Sequence, residues 1–247
     1  MFSIFKTKAP SRAADFFPIA ADMHSHILPG IDDGSPDIQT SLALIAGMMK
    51  LGITSAVATP HIIGDIYRNT GETIGNALSI VRSALAEKEI DFKIKAAAEY
   101  MLDDYFMELL RSKRPLLTVN GNFVLTEFPY ADRPSNIEKI VFEIITEGYT
   151  PILAHPERYS YYHNDFSKYH LLKDLGFHLQ VNLLSITGYY GKPAAKAAAY
   201  LIKKGLVSFA GTDLHHSRHM AAFNLPSNRN LFAETFSGKK MNEEMFF

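Results

Sequence analysis

The sequence predicts an α/β protein built on parallel strands, and three observations indicate this fold class. Short apolar or β-branched runs alternate with longer segments whose apolar residues recur at helical spacing. Glycines follow the helical segments, at Gly52, Gly148 and Gly205. No glycine-rich phosphate loop follows the first strand, which favours a closed barrel over an open doubly wound sheet.

Seven strands are predicted, each a short run rich in apolar or β-branched residues. They are IAADMH (19–24), ITSAVAT (53–59), KIKAAAE (93–99), FVLTEF (123–128), TPILAH (150–155), HLQVN (178–182) and LVSFAGT (206–212).

Four helices are predicted between the strands, each with one apolar stripe to bury against a sheet. The stripes consist of Ile38, Leu42, Ile45 and Met49; of Ile74, Leu78, Val81 and Leu85; of Ile137, Val141, Ile144 and Ile145; and of the run 193–205. We expect Ser35 and Pro36 to supply the cap and the first-turn residue of the first helix.

The 247 residues, 47% of them hydrophobic, suffice for one large domain with a substantial core. We expect an N-terminal extension over residues 1–18, one domain over 19–225 and a C-terminal tail over 226–247. Charged residues interrupt the apolar start of the chain, and no apolar stretch is long enough to span a bilayer. We therefore expect neither an export signal nor membrane insertion.

The composition excludes several classes of function. The chain has no cysteine, so disulfides, thiolate zinc sites and cysteine nucleophiles are impossible. A net charge of -1 provides no long-range field that would collect nucleic acid or an anionic membrane. We therefore expect no nucleic-acid partner, and we expect recognition to depend on one local site.

Metal-capable side chains follow six of the seven predicted strands. They are His24, His26, Asp32 and Asp33 after the first strand, His61 after the second, Glu99 at the third, Glu127 at the fourth, His155 at the fifth, and Asp213 and His215 after the seventh. Because the carboxyl ends of parallel strands face the same end of a barrel, these residues are expected to converge. Taken singly, each histidine or glutamate could instead be an ordinary hydrogen-bonded residue.

Imidazoles and carboxylates without thiolates suit zinc, manganese or iron, and several shared carboxylates indicate a cluster of two or three ions. Such ions lower the pKa of a bound water and thereby supply a nucleophile at neutral pH. The pattern therefore predicts a hydrolase that uses no amino-acid nucleophile.

Two arginines follow predicted ligands at the same spacing: Arg158 is three residues after His155, and Arg218 is three after His215. Their forked guanidiniums could hold a phosphate group, which predicts a phosphoester substrate. Alternatively, either arginine could pair with a local acid, of which Glu157 is the obvious candidate. The aromatic run RYSYYH (158–163) could line a pocket or pack within its loop.

The motifs DMHSHILPGIDDG, ATPH, AAAEY, LTEF, LAHPER and GTDLHH occur in this order between about residues 20 and 220. With them the chain resembles the polymerase-and-histidinol-phosphatase (PHP) superfamily. Within it, the chain is most similar to the bacterial capsule-associated, metal-dependent protein-tyrosine phosphatases. The resemblance implies a distorted, TIM-like (β/α)7 barrel that holds two to three divalent ions, either manganese or iron, with zinc as an alternative.

The resemblance also implies the role of each ligand. His24, His26, Glu99 and Asp213 would hold one ion; Glu99, Glu127 and His155 a second; and Asp33, His61 and His215 a third. Asp33 matches the second aspartate of the family's DDG motif, which leaves Asp32 as a loop residue. Arg158 and Arg218 would neutralise the phosphoryl oxygens, but Arg218 lies closer to the Asp-X-His motif than the family pattern has it, and His219 competes for that role.

The resemblance finally implies a cytoplasmic enzyme whose substrate is the tyrosine-rich tail of a membrane-bound tyrosine autokinase that controls polysaccharide export. Two other functions stay open. One is a small-molecule phosphatase of the same superfamily, such as a histidinol-phosphate phosphatase, with a more enclosed site. The other is a metal-stabilised regulatory module without turnover. The sequence leaves the oligomeric state undecided.

Overall fold

The computed structural model describes residues 16–236 and 241–242, which form nine strands and eight α-helices. The strands are β1 (Ala21–Asp22), β2 (Ser55–Ala58), β3 (His61–Ile62), β4 (Lys93–Ala96), β5 (Glu99–Met101), β6 (Phe123–Glu127), β7 (Thr150–Ala154), β8 (His178–Asn182) and β9 (Val207–Gly211). The α-helices are α1 (Ile38–Lys50), α2 (Gly71–Glu87), α3 (Asp104–Arg111), α4 (Ile137–Thr146), α5 (Lys168–Asp174), α6 (Lys192–Lys203), α7 (Ser217–Phe223) and α8 (Pro226–Phe236).

All neighbouring strands run parallel, which confirms the predicted α/β class with parallel sheets. They form two sheets, a three-stranded one in the order β1-β2-β4 and a six-stranded one in the order β3-β5-β6-β7-β8-β9. The third predicted strand is interrupted after its first part, and β5 begins at its last residue and joins the larger sheet. A short unpredicted strand, β3, follows the second predicted strand and also joins the larger sheet. Residues 59–60 separate β2 from β3, and residues 97–98 separate β4 from β5.

A closed barrel is not confirmed, because the strand pairing is divided between two sheets. The two ends of the strand order nevertheless meet through local contacts. Ser25 and Leu214 form an isolated parallel bridge. The backbone amide of Asp213 donates to the His24 carbonyl oxygen (2.8 Å), and the backbone amide of His26 donates to the Leu214 carbonyl oxygen (2.9 Å). These bonds place the residues that follow β1 directly beside those that follow β9.

Helix α1 differs from its prediction at both its start and its buried face. Asp37, rather than Ser35 or Pro36, caps the helix, and its carboxylate accepts from the Thr40 amide (2.7 Å). The buried face contains Leu44, Ile45 and Met48, whereas the predicted Met49 is 39% exposed. In α4, likewise, Ile140 is buried and the predicted Ile145 is exposed, because the stripe follows the 3.6-residue period from Ile137.

The predicted N-terminal extension lies largely outside the described residues, as do 237–240 and 243–247 of the predicted tail. The described part of that tail packs on the domain. Phe232 of α8 is fully buried and makes an edge contact with Phe17, and Met241 forms an isolated bridge with Ile19. Within the described residues, no helix is both long enough and apolar enough to cross a membrane.

Candidate metal centre

The structure brings all nine predicted metal ligands together. They lie after the carboxyl ends of β1, β2, β4, β7 and β9 and at that of β6. Their ligand atoms form four overlapping groups: His24, His26 and Asp213; His24, Glu99 and His155; His61, Glu99 and Glu127; and His26, Asp33, His61 and His215. Within each group the atoms lie within 4.8 Å of one another. The parallel topology explains this convergence of residues that are distant in sequence.

Glu99 lies at the middle of the cluster and is fully buried. Its Oε2 is 3.2 Å from His24 Nε2, 3.3 Å from His26 Nε2 and 3.2 Å from His61 Nδ1. Its Oε1 is 2.9 Å from His155 Nε2. One carboxylate therefore faces four imidazoles, which is the position of a ligand shared between ions.

The outer edge of the cluster is formed by Asp33, whose side chain is 54% exposed. Asp33 Oδ1 is 3.4 Å from His61 Nε2 and 3.6 Å from His215 Nε2. The cluster therefore extends from a fully buried core to a rim that solvent and a substrate can reach.

Three ligands, here named the anchored group, are held from behind by hydrogen bonds: His24, His26 and Asp213. His24 Nδ1 lies 2.8 Å from Gln180 Oε1, and His26 Nδ1 lies 2.8 Å from Asp32 Oδ2. Two donors, Arg158 Nη1 at 2.8 Å and Asn182 Nδ2 at 2.6 Å, bind Asp213 Oδ2. In each residue the other polar atom is left to face the cluster.

Three other ligand atoms, here named the bare group, are buried without any hydrogen-bond partner: His61 Nδ1, Glu99 Oε2 and Glu127 Oε1. His61 Nδ1 lies 3.2 Å from the Glu99 oxygen and 3.0 Å from the Glu127 oxygen. Buried polar atoms without partners are rare in native proteins because each costs about 1–3 kcal/mol. Cations bound beside these three atoms would satisfy them.

The pKa values reflect the same crowding. Burial opposes the charged form of His24, but Glu99 and Asp213 overcome it and raise the pKa of His24 to about 9. Burial also opposes ionisation of Asp213, yet His24, His215 and Arg158 hold the pKa of its carboxyl well below the usual range. Protons on the imidazoles thus balance buried carboxylates, a role that divalent cations can take over.

Two ligands occupy the left-handed backbone region, which non-glycine residues rarely adopt. His155 has φ 35° and Asp213 has φ 50°, and each lies just after a strand, β7 and β9 respectively. Such backbone strain costs on the order of 1–3 kcal/mol and is concentrated at functional sites, where the surrounding structure enforces it. The two bends turn these side chains into the cluster.

A cavity of about 280 Å³ opens onto the cluster and contains Arg158 in its wall. The Arg158 guanidinium carbon is 4.4 Å from the ring centroid of Tyr190 and 5.1 Å from that of Tyr130. Arg158 binds Asp213 rather than Glu157. The buried Oε1 of Glu157 instead accepts from the backbone amide of Asn182 (2.9 Å) and from Ser185 Oγ (2.6 Å). A quarter of the arginine side chain stays exposed to the cavity.

The structure does not bring Arg218 to this cavity. Arg218 is exposed on α7, one residue before the buried His219, and it is His219 that lines the cavity together with His216. The physical reason is the helical turn of α7, which points successive residues in different directions. The prediction of Arg218 as a second phosphate-binding arginine is therefore not supported by its position.

The aromatic run 158–163 is mainly a packing element. Tyr159 is fully buried, donates to the Ala154 carbonyl oxygen (3.1 Å) and accepts from the Phe128 amide (2.9 Å), and Tyr162 is also buried. The tyrosines that line the cavity are Tyr130 and Tyr190, which sequence reasoning missed. The sequence also does not predict Asp32, Gln180 and Asn182 as hydrogen-bond partners of the proposed ligands, although Asp32 is of a metal-capable type.

The donor set fits a cluster of divalent ions. It consists of imidazole nitrogens and carboxylate oxygens, in a chain without cysteine, and it contains buried atoms that lack any other partner. This chemistry suits manganese, iron or zinc.

Parallel strands with a cluster of buried imidazoles and carboxylates define an α/β protein with a candidate metal centre. The chain belongs to the CpsB/CapC family of capsular polysaccharide synthesis, whose family model matches residues 20–246. The resemblance inferred from the motifs is thereby confirmed.

Among curated proteins, the chain is similar to the tyrosine-protein phosphatase YwqE of Bacillus subtilis. The two are 29% identical over 196 residues, which cover 79% of this chain and 77% of YwqE. Among solved structures, it is similar to one from a study of YwqE and of CpsB from Streptococcus pneumoniae, described as unique metal-dependent tyrosine phosphatases. That match has a TM-score of 0.75, 24% identity, and coverage of 90% of this chain and 96% of the other.

A histidinol phosphate phosphatase from Lactococcus lactis, solved with zinc, L-histidinol and phosphate, is a more distant match. Its TM-score is 0.51 at 13% identity, with 88% of this chain and 93% of the other covered. The two solved structures show the shared fold of the chain.

Proposed function

We propose that this chain is a metal-dependent protein-tyrosine phosphatase. The observation that carries the proposal is the position of Arg158, whose guanidinium lies at the cavity wall directly beside Asp213 of the nine-residue cluster. The names of the relatives, which are tyrosine-protein phosphatases, support the same reaction. Hydrolysis breaks the bond between phosphorus and the tyrosine oxygen; water supplies a hydroxyl group to phosphorus and a proton to the departing tyrosine.

The proposed ligand sets are those of the family resemblance, and they draw on residues of the four overlapping groups. His24, His26, Glu99 and Asp213 hold one ion; Glu99, Glu127 and His155 a second; and Asp33, His61 and His215 a third. Manganese or iron is the proposed metal, with zinc as the alternative. When bound, the ions supply a water of lowered pKa and positive charge for the phosphoryl oxygens.

Arg158 binds the phosphoryl group in this proposal. One of its nitrogens is engaged by Asp213, and stacking against Tyr130 and Tyr190 fixes the plane of the guanidinium. The remaining donors can bind phosphoryl oxygens as charge shifts onto them in the transition state. Arg218 has no role here, and His219 contributes to the cavity wall.

The proposed substrate is the phosphorylated, tyrosine-rich tail of a tyrosine kinase in polysaccharide export, encountered in the cytoplasm. The family's assignment to capsular polysaccharide synthesis and the relatives' activity support this choice. The partly exposed rim of the site, with Asp33 54% and Tyr130 42% exposed, suits a protein segment better than an enclosed metabolite.

We further propose that the two sheets together wrap as a distorted, TIM-like (β/α)7 barrel. The hydrogen bonds of Asp213 to His24 and of His26 to Leu214 support this closure, since they join the two ends of the strand order. The domain limits of 19 and 225 remain predictions.

One experiment tests the function. The purified protein is loaded with Mn²⁺, and hydrolysis of a phosphotyrosine peptide is compared with that of histidinol phosphate on the same preparation. We expect a large preference for the peptide, abolished by a chelator. A large preference for histidinol phosphate would overturn the substrate assignment, and metal binding without hydrolysis of either would favour the regulatory module.

A further inference from the structure

β8 is the one predicted strand that ends without a proposed ligand, yet two of its polar side chains are fully buried beside the cluster. Gln180 and Asn182 are both 0% exposed. They are two residues apart on a strand, so they point to the same face, while the neighbouring Leu179 and Val181 point into the hydrophobic core. Buried amides at this position require an explanation, because burial without partners would be costly.

The two amides form a continuous chain of hydrogen bonds between two ligands of the anchored group. Gln180 Oε1 lies 2.8 Å from His24 Nδ1, Gln180 Nε2 donates to Asn182 Oδ1 (3.0 Å), and Asn182 Nδ2 donates to Asp213 Oδ2 (2.6 Å). The last bond fixes which group donates and which accepts in all three hydrogen bonds. A carboxylate only accepts, so Asn182 presents its NH₂ to Asp213 and its oxygen to Gln180.

Gln180 in turn presents its NH₂ to Asn182 and its oxygen to His24, which must donate from Nδ1. This arrangement leaves Nε2, the atom that faces Glu99 and Asp213, without a proton in the neutral ring and therefore able to bind a cation. At the other end, Asn182 holds Asp213 Oδ2 away from the cluster, so that Oδ1 points inward, 3.4 Å from His24 Nε2.

A glycine on the neighbouring strand makes this arrangement sterically possible. A Cβ atom on Gly211 of β9 would lie 2.8 Å from the Cβ of His24 and 2.9 Å from Nε2 of Gln180, both closer than real contacts allow. Gly211 therefore leaves the space in which the two side chains meet. The glycine of the GTD motif is explained by this contact and not by its backbone conformation.

Building on the proposed function, we propose that Gln180 and Asn182 are positioning residues that act as an amide relay. The relay sets the donor atom of His24 and the orientation of Asp213, and so determines the affinity of the ion that these two ligands share. Neither amide touches the substrate or the ion.

Manganese binding to the metal-free protein tests the relay. Gln180→Met keeps the size of the side chain but removes both its oxygen and its NH₂. Gln180→Glu keeps an acceptor for His24 and loses only the donor to Asn182. The matched control is Gln39→Leu, which alters the only other glutamine of the chain, exposed on α1. We expect Gln180→Met to weaken one Mn²⁺ by about 10–100-fold, Gln180→Glu to weaken it less than Gln180→Met does, and Gln39→Leu to stay within about threefold of the wild type.

Two readouts separate positioning from general damage to the fold. At saturating Mn²⁺, Gln180→Met should recover kcat on a phosphotyrosine peptide. In the Zn²⁺-loaded wild type, proton–nitrogen NMR should detect a protected Nδ1 proton on His24, which is lost in Gln180→Met. Unchanged Mn²⁺ affinity in Gln180→Met, or coordination of zinc through Nδ1 of His24, would overturn the relay.

The outcomes also separate the relay from the proposed function. A wild type that binds Mn²⁺ without hydrolysing the peptide contradicts the function alone, since the binding and NMR results still decide the relay. A wild type that hydrolyses the peptide and a Gln180→Met variant with normal Mn²⁺ affinity contradict the relay alone. If Gln180→Met does not fold, Asn182→Ser breaks the relay at its other end and is expected to weaken the same ion.

Discussion

The anchored group and the bare group are adjacent and built from the same residue types, but they differ in what lies behind them. Each anchored residue is bound on its outer side by Asp32, Gln180, Asn182 or Arg158. The bare atoms have no partner there. The first group is therefore pre-organised by the protein, whereas the second is held only by contacts among its own members, which a bound cation could replace.

Substitution of Glu99, which connects the two groups, should have the largest effect. Glu99→Gln removes the negative charge that faces His24, His26 and His61, so we expect loss of at least one ion. The loss of turnover should exceed the roughly 100-fold that is typical for a residue behind a ligand. Metal content and peptide hydrolysis, measured on the same sample, check this. Full metal content with normal turnover would refute the shared-ligand role.

Substitution of Arg158 should come next, because it supports the anchored group and faces the cavity. Arg158→Ala should lower kcat by about 10²–10³-fold, the effect of removing one donor to a developing negative charge. The matched control is Arg218→Ala, which removes an exposed arginine that does not line the cavity and should leave kcat unchanged. If Arg218→Ala has the larger effect, the placement of the phosphate-binding group is wrong.

Asp32→Asn tests whether the anchored group is organised before metal binds. The variant weakens a buried, charge-assisted bond to His26 that exists without any ion, so the metal-free protein should lose about 1.5–3 kcal/mol of unfolding free energy. Chemical denaturation in the presence of a chelator measures this. Asp33→Asn is the control, because its side chain is half exposed and forms the rim. Equal stability of the two variants would argue against pre-organisation.

The smallest predicted effect is the release of a proton when metal binds. His24 has its pKa raised to about 9 from an ordinary value near 6.5, so it holds a proton at pH 7.5 in the metal-free protein. A ligand nitrogen must be free of its proton, so metal binding should release about one proton from this residue, and apparent affinity should rise with pH until about 9. Titration calorimetry in buffers of different ionisation enthalpy measures the release. Affinity that falls as pH rises from 7 to 9 would contradict this assignment.

The convergence of the proposed ligands could be predicted from the sequence because each combines a metal-capable residue type with a position at a strand end. The residues behind them could not. Asp32 looks like an ordinary loop residue, and Gln180 like any polar residue of a strand, until the fold brings them against His26 and His24. Arg218 shows the converse: its spacing in sequence suggested a partner for Arg158, but the turn of α7 points it elsewhere.

The fold, too, has parts that the sequence predicts and parts that it does not. Long periodic segments such as α2 and α6 are evident from their apolar spacing, whereas α3, α5 and α7 are only seven or eight residues long and give a weak periodic signal. The interruptions after β2 and β4, and the contact between Ser25 and Leu214, depend on pairing between distant segments. No local pattern encodes such pairing.

The central claim is that anchored and bare groups together form one cluster of ions that supports hydrolysis. Its most direct test is to count metal ions per chain, by elemental analysis, while activity on a phosphotyrosine peptide is restored by titrating Mn²⁺ into the metal-free protein. We expect full activity to coincide with two to three bound ions. Full activity with fewer than two ions per chain would contradict it.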